Sequence, residues 1–131
     1  MSTNQKLDDA FVGRVFTKVE GGEDCNLLRF TRDDGKVFEF YHERDCCEHV
    51  YIESIVGDLQ DLVGAHILLA EEVTNAMDTW HNPDDRPSGA DESWTWTFYK
   101  FATLKGYVDV RWFGTSNGYY SEGVDLVERT A

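Results

Sequence analysis

Long apolar runs are missing from this chain: no stretch approaches the roughly 20 consecutive apolar residues that a membrane-spanning helix needs. The opening stretch MSTNQKLDDAF also lacks the apolar segment of a secretory signal, so a soluble intracellular protein is expected. Cysteine is scarce and odd in number. Cys25, Cys46 and Cys47 cannot form the paired framework of a small secreted domain, and reduced thiols are expected. Cations are short as well: 12 Lys and Arg stand against 25 Asp and Glu, for a net charge of −13. That balance opposes general affinity for nucleic-acid backbones and for anionic membranes. It fits a solubilised oligomer, or an acidic surface that occupies a basic DNA-binding partner in the manner of a DNA mimic.

Motifs that carry chemistry are absent too. There is no phosphate-cradling glycine loop, no dinucleotide fingerprint, no nucleophile elbow and no H-E-x-x-H helix. A non-enzymatic protein without a cofactor is expected on that ground.

Aromatic residues are present in quantity. Ten of the eighteen fall between Trp94 and Leu126, where β-branched residues alternate with rings and the turn signals Lys105-Gly106 and Ser116-Asn117-Gly118 predict an antiparallel meander. With Lys105 and Gly106 as the turn, Phe101 meets Val110, Tyr99 meets Trp112 and Thr103 meets Val108 on a core face. The opposite face then carries Trp94, Trp96, Phe98, Lys100, Asp109, Arg111 and Phe113, with Lys100 across from Arg111. Two adjacent cations require an anion. Asp109, on the diagonal, supplies one internally; a bound phosphate or carboxylate is the functional alternative, since stacking rings hold a base while cations answer its charge. The second turn, with Gly118 at positive φ, pairs Val110 with Val124 and Val108 with Leu126. Its residues Ser116, Asn117, Tyr119 and Tyr120 join the candidate ligand site, offering backbone N–H groups and ring faces.

The remaining chain reads as one β-rich domain over residues 11–131, preceded by a flexible tail at 1–10. The expected class is α+β, mostly antiparallel β in hairpins and meanders, with about seven or eight strands and one short helix. A strand is expected from Phe11 to Val19. The loop Asp33-Asp34-Gly35 predicts a hairpin that faces Phe30 with Phe38, Leu28 with Phe40 and Arg29 with Glu39. Val50 to Val56 reads as a strand, Asp58 as the N-cap of the short helix, and Ala65 to Val73 as a strand crossing the core. Residues 75–93 hold both prolines and read as a long loop, with Trp80 folded back onto the sheet or the whole acting as a lid or interface arm.

The cluster His42-Glu43-Arg44-Asp45-Cys46-Cys47-Glu48-His49 crowds metal-ligating types into eight residues. Adjacent cysteines in extended chain point apart, so at most a set such as His42, Cys47 and His49 would converge, and buried small cysteines with turn-stabilising polar groups are preferred. Cysteine nucleophilic chemistry has the residue types but no oxyanion loop.

Two segments, FYHERDCCEHVYIESIVGDLQDLVG (residues 40–64) and SWTWTFYKFATLKGYVDVRWFGTSNGYYSEGVDL (residues 93–126), resemble a family of small uncharacterised proteins encoded by tailed bacteriophages. The resemblance is carried most specifically by HERDCCE and GTSNGYYSE. It implies a phage accessory protein of a host bacterial cytoplasm, of a kind that blunts host defence. The leading expectation is therefore a homo-oligomer that sequesters a small anionic ligand, a nucleotide signal, on the Trp94/Trp96/Lys100/Arg111/Phe113 face. The alternatives are an acidic inhibitor of a host protein and, third, a phage structural component.

Overall fold

A computed structural model describes residues 3–42, 48–78, 93–116 and 122–130. The described residues form one α-helix, α1 (Thr3–Phe11), and eight strands: β1 (Phe16–Glu20), β2 (Leu27–Arg32), β3 (Lys36–Tyr41), β4 (His49–Val56), β5 (Leu69–Asp78), β6 (Ser93–Thr103), β7 (Gly106–Ser116) and β8 (Asp125–Thr130). A short 3-10 turn, Leu59–Leu62, follows β4, capped by the Asp58 carboxylate, which accepts from the Gln60 N–H. The class is thus the mostly antiparallel, single-domain arrangement expected, as two four-stranded sheets ordered β1-β2-β3-β8 and β4-β7-β6-β5. Among the described residues no helix is long and apolar enough to cross a membrane.

The sheets pack face to face because one parity of the facing strands supplies most of the buried rings and aliphatic side chains. From β2 and β3 come Leu28, Phe30, Phe38 and Phe40; from β6 and β7 come Tyr99, Phe101, Val108, Val110 and Trp112. Phe40 meets Tyr99 at 4.6 Å between ring centres and Phe30 meets Phe101 at 5.1 Å, tilted contacts of the kind aromatic quadrupoles favour. The β2–β3 hairpin has the predicted register: Phe30 faces Phe38, Leu28 faces Phe40, and Arg29 faces Glu39, to which it donates at 2.8 Å.

Five expectations are corrected. From Thr3 onward the expected tail is instead helix, since α1 occupies Thr3–Phe11 and buries Leu7 and Phe11 completely. The sequence TNQKLDDAF is polar overall, but Leu7 and Phe11 lie four apart and fall on one helical face. Consequently the first strand begins at Phe16 rather than Phe11. The β6–β7 turn is Leu104-Lys105, so Phe101 faces Val108 and Tyr99 faces Val110. That register lies two residues from the predicted one, so the buried parity is preserved while every partner changes. Finally, β8 does not return to β7. It crosses to the other sheet and pairs with β3, placing Leu126 opposite Phe40, while β4 takes the place beside β7. The expected loop at 75–93 is partly strand, with β5 paired to β6 as far as Asp78 and Ser93; Trp80 and the lid lie outside the described residues.

Arg32 fastens α1 to the first sheet. Its buried guanidinium donates to both Asp34 carboxylate oxygens, at 2.9 and 2.7 Å, and to the Ala10 carbonyl at 3.0 Å, which satisfies an orphan acceptor at the helix end. The hydrogen bond from Arg32 holds the Asp34 carboxyl well below its usual value near 3.8. A carboxyl depressed on folding stabilises the native state above its unfolded value and loses that contribution as pH falls. Arg32→Met should therefore lower the melting temperature at pH 7 by roughly 5–10 °C. It should also flatten the acid dependence below pH about 4, which thermal melts between pH 2 and 7 would read.

Candidate functional site

Two surfaces come into question: the predicted aromatic face and a cleft at the far end of the sandwich. The aromatic face is the outer side of the β4-β7-β6-β5 sheet. Trp94, Trp96, Lys100, Asp109, Arg111 and Phe113 all lie on it, as their parity requires. Its charges, however, are arranged differently from the expectation. Lys100 sits directly across from Asp109, and Phe98 is the residue across from Arg111. Arg111 donates to the Glu53 carboxylate from Nε at 2.6 Å and also contacts it through a terminal nitrogen. Its guanidinium lies 4.8 Å from the Trp96 ring centre, and Trp96 in turn meets Phe113 at 4.7 Å. Glu53 reaches Arg111 because the β4–β7 register shifts between Ile52 and Ser54, adding a residue that no alternation pattern shows. Trp94 and Phe113 are each only 2% exposed, so neither offers an open ring face.

Ser116 is not on this surface. It is buried on the inner side, where its hydroxyl donates to Glu122. Asn117, Tyr119 and Tyr120 lie outside the described residues, as do Cys46 and Cys47 of the proposed metal or nucleophile sets. Among the described residues no three His, Cys, Asp or Glu side chains converge as metal ligands.

The second surface is a cleft of about 590 Å3 between the start of β2, the end of β3 and the start of β4. Its wall is built by the loop after β1. Asp24 takes a left-handed conformation, φ 68°, which Asp tolerates better than most side chains. The chain then runs along the β4 edge: the Asp24 N–H donates to the Ile52 carbonyl and the Ile52 N–H to the Cys25 carbonyl, each at 2.7 Å. Carboxylates of Glu20, Asp24 and Glu48 line the cleft with His42, His49, Cys25 and Tyr51; Arg29 is the cation among them.

At its floor lies a buried polar pair. His42 Nε2 and Glu48 Oε2 are 2.9 Å apart, and His42 Nδ1 is 2.7 Å from the Gly123 carbonyl oxygen. A carbonyl only accepts, so Nδ1 carries a hydrogen and the second proton lies between imidazole and carboxylate. Glu122, the residue before Gly123, accepts from Thr95 at 2.8 Å and from Ser116. Beside the cleft, burial raises the Glu39 carboxyl, but the guanidinium groups of Arg29 and Arg129 outweigh burial and hold it below its usual range. Arg29 is thereby shared between Glu39 at 2.8 Å and Glu20 at 3.9 Å. Sequence alone does not find this site, because it joins His42, Glu48 and Glu122–Gly123 across eighty residues and two sheets. The crowding of polar residues at 42–49 is its only local trace.

Fold and site together define a small acidic β domain of two packed sheets with a polar-floored cleft. Residues 9–126 match the model of a domain of unknown function (DUF7448), and the chain belongs to that family. No curated protein and no solved structure matches it.

Proposed function

We propose that this protein acts by occupancy rather than catalysis, as an acidic binding module that receives a cationic group of a basic partner protein in the cleft between β2, β3 and β4. One observation carries it: among the described residues the cleft presents the Glu20 and Asp24 carboxylates with Arg29 as the one Lys or Arg of its lining, and Glu20 and Glu39 already share Arg29. A Lys or Arg side chain entering there meets the Asp24 and Glu20 carboxylates beside the Tyr51 ring, and the chain's charge of −13 favours its approach. The setting proposed with it is the one the phage resemblance implies, an inhibitor of a basic host protein in a bacterial cytoplasm.

A nucleotide bound on the outer face stands second. The exposed edge of the Arg111–Trp96 stack favours it, but an anion there has to displace Glu53.

Calorimetry with a short lysine- and arginine-rich peptide, run beside a nucleotide panel, tests both. Peptide binding should weaken steeply with salt, and Glu20→Gln with Asp24→Asn should weaken it about tenfold or more. Indifference of the peptide to those substitutions overturns the cleft. Nucleotide binding that Arg111→Ala abolishes would promote the second reading.

A further inference from the structure

Seven large apolar residues stand exposed among the described residues, and they are not scattered. Six of them, all but Val12, lie on or beside the end of the outer β4-β7-β6-β5 face nearest the β6–β7 turn; Leu104 is 91% exposed, Tyr107 75% and Val56 66%. No described strand or helix packs over that face. Exposed apolar side chains gathered at one end of a sheet face mark an interaction surface.

Its charges identify the partner. The face holds Lys100 and Arg111 against Glu53, Glu71 and Asp109, a balance of −1 on a chain whose total is −13. A second copy of this chain is repelled less by this face than by the surface as a whole. One row across the sheet runs Glu71, Lys100, Asp109, Val56, and among the described residues none of its three charges is in an ion pair. That order of negative, positive and negative is complementary to itself.

We infer that a second copy of this chain packs face to face on this end of the sheet, about a twofold axis running along the strands between β6 and β7. The axis exchanges the two central strands. Lys100 then faces Asp109 of the second copy and Asp109 faces its Lys100, while Arg111 faces Phe98, a cation over a ring. Face-to-face sheets pack within about 30° of alignment, which holds over the few rows involved.

Sedimentation of the full chain tests this. The wild type should sediment as a dimer of 15.0 kDa subunits. Lys100→Asp and Asp109→Lys alone should each place like charges across the axis and raise the dimer dissociation constant by about tenfold or more. Mixing the two variants should restore dimer, since each then meets its opposite in the other chain. Cross-strand charges within either variant stay unmatched, so restoration reports contact between chains. Val73→Asp, at an exposed site on the same face, should also give monomer and covers any failure of the charge variants to fold. A monomeric wild type overturns the inference, whatever else binds the face; so do dimers that persist in the single variants, or a mixture that stays monomeric.

Discussion

Phe11→Ala should cost about 3–5 kcal/mol and lower the melting temperature by about 10–20 °C. The ring sits at the end of α1 and is fully buried. It lies 4.8 Å from the Phe16 ring, 5.0 Å from Phe30, 5.4 Å from Phe38, 5.7 Å from Phe40 and 5.8 Å from Phe101, so it touches both sheets at once. Removing it opens a cavity the size of a benzyl group where the layers meet, and the surrounding rings are held by strands that cannot collapse inward. The same ring anchors α1, so urea melts should show the loss while limited proteolysis shows earlier cutting before residue 12. Phe11→Leu, which keeps most of the volume, should lose less than half as much. A loss below about 1 kcal/mol for the alanine variant would mean that the helix does not close the sandwich.

That helix shows where the chain's pattern is legible and where it is not. Alternation over β2 and β3 fixes their register because apolar pairs and the Arg29–Glu39 ion pair agree only one way. Between β6 and β7 the same alternation fixes which residues are buried. It does not fix the partner, because a slip of two residues keeps every apolar side chain on its face. Turn chemistry decides such cases, and Lys105-Gly106 resembles a turn more than Leu104-Lys105 does. The course of β8 depends on a long-range choice: Val124 and Leu126 are equally apolar against β7 and against β3, and Leu126 gains Phe40 by crossing. For α1, two apolar residues in nine give too weak a period to outweigh its polar composition; tertiary burial supplies the rest. The aromatic face was legible as a face. Its electrostatics were not, since they depend on that register and on the extra residue that brings Glu53 to Arg111.

Gly114→Ala should be nearly as damaging as the loss of Phe11, for the opposite reason, and its effect should reach the cleft. A Cβ at Gly114 would stand 2.4 Å from the Glu122 carbonyl oxygen and 2.9 Å from its Cβ, so the backbone at 122–123 must move. Overpacking of this kind costs about 1–3 kcal/mol where side chains alone yield, and more where backbone is the obstacle. The segment that moves holds the Glu122 carboxylate against Thr95 and Ser116, and the Gly123 carbonyl against His42 Nδ1. Once that carbonyl withdraws, nothing holds the hydrogen on Nδ1, and the ring can turn away from Glu48. Imidazole 15N shifts of His42 should therefore change in Gly114→Ala, and affinity for a cationic peptide should fall with them. Gly57→Ala separates stability from site geometry. Its φ of 101° and a Cβ 2.2 Å from the Tyr107 carbonyl oxygen make it at least as strained, at the end of β4 far from Gly123 in the chain. It should match the stability loss with His42 shifts left in place. If both variants leave those shifts unchanged, the 122–123 segment does not orient the imidazole, and the cleft floor is set by Glu48 alone.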